Sequence, residues 1–237
     1  GIPRVIHQTW KTEQVPPPCV PFQQSLLNLH PAPQWEYQLH TDRDNHQLIA
    51  QEYPWFLPFY EAYPHHIQRV DAARYFWLYH VGGVYADLDM QCLSPLDGLI
   101  EQATGVVVGE EGELHHNGTQ RIGNAVIFSP PGHPFWKRVF EALMKLFVLS
   151  DPDKSQSVFL TTGPSFLHEV YSRWPHDVTV MPAHAFYPRA WTKNPDLKLV
   201  NKRQCPRSWM CHHWLGSWRQ APKHYRLVCG LSGRMRA

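Results

Sequence analysis

The 237-residue sequence has no run of about 18 or more apolar residues, so no helix in it is equipped to span a bilayer. It also lacks an internal repeat, a low-complexity tract and a clean linker, which leaves a single domain over residues 1–237. Cysteine is scarce. Five residues (Cys19, Cys92, Cys205, Cys211 and Cys229) are an odd number and too few for a disulfide scaffold, although Cys205 and Cys211 are spaced to close a short loop. Charged residues make up only 18% of the chain, but 43% apolar content excludes bulk disorder. No recognition-helix or finger signature is present, and most of the chain is acidic, which argues against a nucleic-acid partner. An initiating Met, a basic n-region and a signal-like apolar stretch are absent too. The opening at Gly1-Ile2-Pro3 leads us to expect a soluble domain trimmed from a longer, membrane-anchored protein.

The net charge of +2 conceals an asymmetry. Residues 1–180 carry 11 basic and 19 acidic side chains, a balance of −8, whereas residues 181–237 carry 11 basic and one acidic, a balance of +10. Such a segment faces phosphate or an anionic surface, with Lys202, Arg203 and Arg207 as docking candidates, or else it is a solvated basic tail. The sequon Asn117-Gly118-Thr119 and the Cys205/Cys211 spacing lean towards a lumenal or secreted compartment.

The 22 prolines are spread throughout, which predicts many loops and short helices. Strands are expected over Ile2–Gln8, Trp35–His40, Val84–Met90, Thr104–Glu110 and Ala125–Ser129. Helices are expected over Asp44–Glu52, capped by Asp42 or Asp44, over His66–His80, ended by Gly82-Gly83, and over Pro134–Leu149. Strands alternating with helices predict an α/β layered domain, with an irregular segment from Pro175 onward.

The sharpest chemical feature is Gly82-Gly83-Val84-Tyr85-Ala86-Asp87-Leu88-Asp89. Strand alternation would put Tyr85, Asp87 and Asp89 on one face. Two carboxylates together at a strand end suit a hard divalent cation, Mg²⁺ or Mn²⁺, with coordination positions left for phosphate. Asp42-Arg43-Asp44 and Asp151-Pro152-Asp153 repeat the spacing, but in loop or cap contexts that solvated turns explain. In the preceding helix Asp71 and Arg74 stand i, i+3. They form either a surface salt bridge or a buried pair suited to hydroxyl and phosphate recognition. The third cluster, Cys211-His212-His213-Trp214-Leu215-Gly216-Ser217-Trp218, offers imidazole ligands and indole stacking surfaces. With 16 histidines, and pairs also at His65-His66 and His115-His116, adjacent histidines are common in this chain. A zinc site from Cys205, Cys211, His212 and His213 is conceivable but matches no standard spacing.

These motifs together resemble the glycosyltransferases with the DXD sugar-binding motif (family 32). The segments that carry the resemblance follow in the family's order: Ile2 to Trp10; Arg69-Val70-Asp71-Ala72-Ala73-Arg74-Tyr75; Gly82 to Asp89; Asn124-Ala125 with Pro131 to Phe135; Thr162-Gly163-Pro164; and His212 with Ser217-Trp218. Through Glu52-Tyr53-Pro54-Trp55-Phe56-Leu57 and residues 69–89 the chain is similar in particular to the inositolphosphoceramide mannosyltransferases.

The resemblance implies a GT-A fold, an α/β sandwich with a mostly parallel central sheet, and sugar transfer from a nucleotide donor with retention at the anomeric carbon. It further implies Asp89 as direct metal ligand and Asp87 on ribose and sugar hydroxyls or a metal-bound water. His212 would complete the metal shell, with His213 as the alternative. Asp71 and Arg74 would grip the donor sugar, His7 and Gln8 would lie by the base, Asn124 and Ala125 would border the sugar, and Trp10, Tyr85 and Gly163 would also bind the donor. Ser217 and Trp218 would close over the diphosphate. GDP-mannose is the first expected donor, ahead of UDP-galactose or UDP-N-acetylglucosamine. The acceptor would be a lipid or glycan hydroxyl, including a phosphoinositol headgroup at a membrane surface, in the Golgi lumen or secretory pathway. The sequence offers no carboxylate nucleophile beyond these Asp pairs, so front-face transfer is expected. Two competing readings are an idle nucleotide-sugar or phosphoinositide binding module, and a metal-dependent phosphodiesterase or nucleotide-sugar hydrolase. Intact Asp71, Arg74, Asp87 and Asp89 speak against the first, and the lack of a two-metal cluster against the second.

Overall fold

The computed structural model describes residues 1–114, 118–149, 157–192 and 195–216. In chain order its strands are β1 (Val5–Thr9), β2 (Glu36–His40), β3 (Gly83–Ala86), β4 (Met90–Cys92), β5 (Val106–Leu114), β6 (Gln120–Ile122), β7 (Val126–Ser129), β8 (Val178–Met181) and β9 (Met210–His212). The helices are α1 (Val20–Leu29), α2 (Asp42–Glu52), α3 (Leu57–Ala62), α4 (His66–His80), α5 (Asp97–Gln102), α6 (Pro134–Leu149), α7 (Val158–Thr161), α8 (Pro164–Arg173) and α9 (Ala183–Phe186).

Seven strands form one sheet in the order β2-β1-β3-β7-β5-β6, with β8 also paired to β5. The pairings set β2, β1, β3, β5 and β8 pointing one way, with β7 and β6 opposed. The sheet is therefore mostly parallel in direction. Its middle strands β1, β3 and β7 are buried along their whole length, as β-branched and aromatic strands covered on both faces must be. Alternation sorts the side chains into two cores. Tyr85, Val106, Val108 and Ile127 pack beneath α4, α6 and α8, where Phe76 and Phe140 stack at 4.0 Å. Val84, Ala86, Val107, Val126 and Phe128 face Leu26 of α1, Phe186 of α9 and Met90 of β4.

Several boundaries differ from expectation. Helix α2 starts at Asp42 because Thr41 is its cap. The Thr41 hydroxyl accepts from Asp44 N, and the Asp44 carboxylate accepts from Thr41 N at 2.8 Å, a reciprocal box in place of the expected cap by Asp42 or Asp44. The strand expected over Val84–Met90 stops at Ala86. Asp87 N still donates to Ala125 O (2.8 Å), but Asp87 O accepts from Met90 N (3.0 Å) and the chain turns. Met90–Cys92 then pairs with β9 in a separate two-stranded sheet. The segment after Pro175, expected to be irregular, supplies β8, α9 and β9. Cys205 and Cys211 are free thiols, so they do not close the expected loop. Asn117 of the sequon, His115, His116, Asp151, Asp153 and Cys229 lie outside the described residues.

The turn from α4 into β3 positions the site. Gly82 (φ +74°) and Gly83 (φ +100°) take backbone angles that other residues rarely adopt, and a Cβ on Gly83 would run into the Val5 carbonyl. The chain can therefore pass from the helix directly into the sheet centre beside β1. Asp71 and Arg74 on the helix thus come to lie against Tyr85 and Asp87 at the strand's end.

Candidate active site

Asp71 and Arg74 are buried in α4, and their ion pair spans 2.8 Å with both side chains almost fully enclosed. Arg74 reaches further, to Asp87 at 3.3 Å, to the carbonyl of Asn124, and over the Tyr85 ring at 4.5 Å. Asp71 accepts from Asn124 Nδ2 (3.1 Å) and from the Thr162 hydroxyl (3.2 Å). Of the two arrangements open for this pair, the structure shows the buried one.

The second group stands beside the first. Asp87, Asp89 and His212 each place a donor atom within 4.8 Å of the others. The turn after β3 keeps the two aspartates together although neither is in a strand. Tyr85 donates its hydroxyl to Asp87 Oδ1 (3.0 Å), and Gln8 Nε2 donates to Asp87 O (3.1 Å). Asp89 Oδ1 meets His212 Nε2 at 3.2 Å, and Asp89 Oδ2 accepts from Leu215 N at 2.7 Å. His212 comes from β9, whose register sets it opposite Met90.

Burial pushes Asp71 up to about 6, against the pull of Arg74. It also raises Asp87, again opposed by Arg74. Burial works against the Asp89 charge as well, but His212 and the Leu215 N–H outweigh it and hold this carboxyl below its ordinary range. Burial likewise opposes a charge on His212, and Asp89 overcomes it and raises the imidazole. Two buried atoms, Arg74 Nε and His212 Nδ1, have no hydrogen-bond partner among the described residues. Two carboxylates and an imidazole, with one ring nitrogen orphaned, fit a divalent cation such as Mn²⁺ or Mg²⁺.

Both groups open into one cavity of about 580 Å³. Trp10, Asp71, Arg74, Tyr85, Asn124 and Ala125 line it, as expected of donor-side residues. Trp214 of the third cluster lines it as well, together with Glu111, Phe159 and Trp191, which no motif in the sequence marks.

Other expected residues stand elsewhere. His7 is in the core: its Nε2 donates to Gly82 O (2.8 Å), and its Nδ1 accepts from His40 Nε2 (2.9 Å), so neither nitrogen is left for a base. Gln8 is buried, and its amide holds the Asp87 carbonyl while accepting from the Tyr37 hydroxyl (2.9 Å); it supports the turn from behind. Gly163 caps α8 outside the cavity lining, while its neighbour Thr162 reaches Asp71. His213 turns away from the aspartates, stacks on Phe22 at 4.3 Å and is bonded to Gln91 Oε1 (3.0 Å). No zinc group of Cys205, Cys211, His212 and His213 forms among the described residues. Lys202, Arg203 and Arg207 do not line the cavity, and Lys202 Nζ donates to Ser208 O (2.7 Å). Ser217 and Trp218 lie outside the described residues.

The His7–His40 pair has a consequence for stability. Burial depresses His7 to about 4 and His40 to about 3. The unfolded chain thus binds more protons below its own histidine pKa, and stability is lost as pH falls from about 6.5 towards 4. Asp71, raised in the folded state, acts in the opposite sense, but it is one group against two. Unfolding free energy from denaturant titration is expected to be on the order of 2 kcal/mol lower at pH 5 than at pH 7. An equal value at both would show the pair is not held neutral.

Residues 16–106 match the family model described as the glycosyltransferase sugar-binding region containing DXD motif. The chain is 37% identical over 197 residues to inositol phosphoceramide mannosyltransferase 3 of Schizosaccharomyces pombe, covering 83% of this chain and 51% of that protein. It is 41% identical over 180 residues to inositol phosphoceramide mannosyltransferase 2 of the same yeast, covering 73% of this chain and 48% of that protein. The chain thus spans about half the length of these relatives. Among solved structures, the PaToxG glycosyltransferase superposes with a TM-score of 0.53 at 14% identity, over 73% of this chain and 70% of that one. That likeness concerns the fold, which is of the GT-A type. The match to the family model and the identity to these relatives agree: the chain belongs to the glycosyltransferases with a DXD-containing sugar-binding region.

Proposed function

We propose that this chain is one catalytic domain that transfers a hexose from a nucleotide sugar to a lipid or glycan hydroxyl, with a divalent metal and retention at the anomeric carbon. GDP-mannose is the first donor and inositol phosphoceramide the first acceptor, since the named relatives are inositol phosphoceramide mannosyltransferases. UDP-galactose and UDP-N-acetylglucosamine come next. A Golgi or other secretory location accords with that reading. The observation that carries it is one cavity holding both the Asp87–Asp89–His212 cluster and the enclosed Asp71–Arg74 pair.

In this reading Asp87, Asp89 and His212 hold Mn²⁺ or Mg²⁺. When bound, the ion neutralises charge building on the departing diphosphate. The chain's own residues do the rest. Leu215 N and Tyr85 orient the two carboxylates before any ligand arrives, so little reorganisation remains for the reaction. Arg74 balances Asp71 and Asp87, and its Nε remains a donor without a partner among the described residues. Asp71, fixed by Asn124 and Thr162, is poised to accept from sugar hydroxyls. Trp10 lies at the cavity wall, on the donor side in this reading. The acceptor hydroxyl attacks from the face the diphosphate leaves, and its proton passes to that phosphate.

A panel of GDP- and UDP-hexoses, assayed with and without Mn²⁺ for hydrolysis and for transfer to inositol phosphoceramide micelles, tests the reading. Metal-dependent turnover of one donor is expected. The absence of nucleotide binding by any of them would overturn it.

A further inference from the structure

Glu111 is a carboxylate that none of these roles uses. It lies on β5, is only 5% exposed and lines the cavity. Arg121 of β6 donates to its Oε2 from Nε at 2.7 Å and from Nη2 at 2.6 Å. The same guanidinium lies 5.7 Å from the ring of Phe159, which also lines the cavity. Stability alone is a poor reason for such a pair, because a buried ion pair is often no better than well-packed apolar residues. Glu111 stands outside the three-residue metal-binding group. Yet it lines the same cavity as Asp87, Asp89 and His212. The cavity lining also includes apolar and aromatic side chains (Val158, Phe159, Trp191 and Trp214), a surface suited to the C–H faces of a polyhydroxylated ring.

We infer that Glu111, oriented by Arg121, binds the acceptor: its carboxylate accepts hydrogen bonds from a polyhydroxylated ring and aims the attacking hydroxyl at the anomeric carbon. The assignment deepens the sugar-transfer reading and rests on it. In the transfer step a bond forms between acceptor oxygen and anomeric carbon. The bond to the diphosphate breaks and its electron pair leaves with the diphosphate, while the hydroxyl proton goes to a diphosphate oxygen. Glu111 stays ionised throughout. Two charge-assisted bonds onto one oxygen fix the carboxylate and draw off its charge, which fits an orienting acceptor and not a nucleophile.

The test compares wild type with Glu111→Gln and Glu111→Asp, using GDP-mannose and Mn²⁺. Hydrolysis and transfer are measured separately, with inositol phosphoceramide micelles in one arm and methyl mannoside in the other. The ratio of transfer to hydrolysis is expected to fall about 100-fold in Glu111→Gln and about tenfold in Glu111→Asp, with a raised acceptor KM. A fall in the lipid arm alone identifies a cyclitol headgroup as the ring, and a fall in both a general hexose-like ring. Should the ratio hold in both variants, or hydrolysis and transfer fall together, Glu111 is structural and the inference is overturned. A wild type that binds and turns over none of the nucleotide sugars would instead defeat the transfer reading, and this inference with it.

Discussion

Asp89→Asn is expected to lower sugar transfer by about three orders of magnitude while leaving the fold intact, an effect equivalent to losing roughly 4 kcal/mol of transition-state stabilisation. The substitution preserves shape and keeps a carbonyl oxygen for the Leu215 N–H, now met at 2.7 Å by Asp89 Oδ2. It removes the charge that faces His212 at 3.2 Å and that shares a small volume with Asp87. Two buried carboxylates this close repel each other when no cation is present, and Asp87 is pushed up while Asp89 is held down. His212 and the Leu215 N–H nevertheless hold Asp89 below its ordinary range, so its charge stabilises the folded state, and without metal the variant is expected to stay folded but to unfold at a somewhat lower denaturant concentration than wild type. Steady-state kinetics at saturating Mn²⁺, Mn²⁺ titration by electron paramagnetic resonance and urea unfolding without metal check the three parts. A variant that keeps wild-type Mn²⁺ affinity and turnover would remove Asp89 from the metal site.

How legible this site was depended on how far each residue's role is local. The pairing of Asp71 with Arg74 and the grouping of Tyr85, Asp87 and Asp89 follow from spacing along one helix and one strand, and the structure puts each group together. Even the error in the strand's length was harmless, because the turn at Asp87 keeps both carboxylates on the cavity side. His7 and His213 were misplaced for the converse reason. Both are polar residues next to site residues in sequence, but His7 is claimed by His40 and Gly82 and His213 by Phe22 and Gln91, all partners from distant elements. Glu111 was hidden by a boundary. The strand expected to end at Glu110 runs on to Leu114, and its pairing with β6 brings Arg121 back across to it. The α/β layering was visible in the alternation of β-branched stretches with amphipathic ones. The strands of the C-terminal third were not: β9 holds only Met210–His212, and its partner β4 only three residues.

Arg74→Met is expected to destabilise the fold itself, by about 3–5 kcal/mol, since it strands buried carboxylates without their counter-charge. Arg74 is almost entirely enclosed, like Asp71, and Asp87 is only partly open to solvent. The carboxylates of Asp87 and Asp71 raise the Arg74 pKa in spite of burial, so the charge is present at every pH at which the protein is folded. Met fills comparable volume, which makes the loss electrostatic more than steric. The pH dependence separates the two. With Arg74 gone, only the Thr162 and Asn124 hydrogen bonds oppose the burial that already places Asp71 at about 6, so its pKa rises further and the variant's folded state binds a proton that its unfolded state releases. Stability of the variant relative to wild type must then fall as pH rises, and the deficit measured by urea unfolding should be larger at pH 8 than at pH 6. A steric defect would give the same deficit at both. Arg74→Lys keeps the charge but cannot span Asp71, Asp87 and the Asn124 carbonyl with one planar fork, so it should recover most of the stability and little of the transfer. Recovery of both together would mean that Arg74 serves the site as a charge alone.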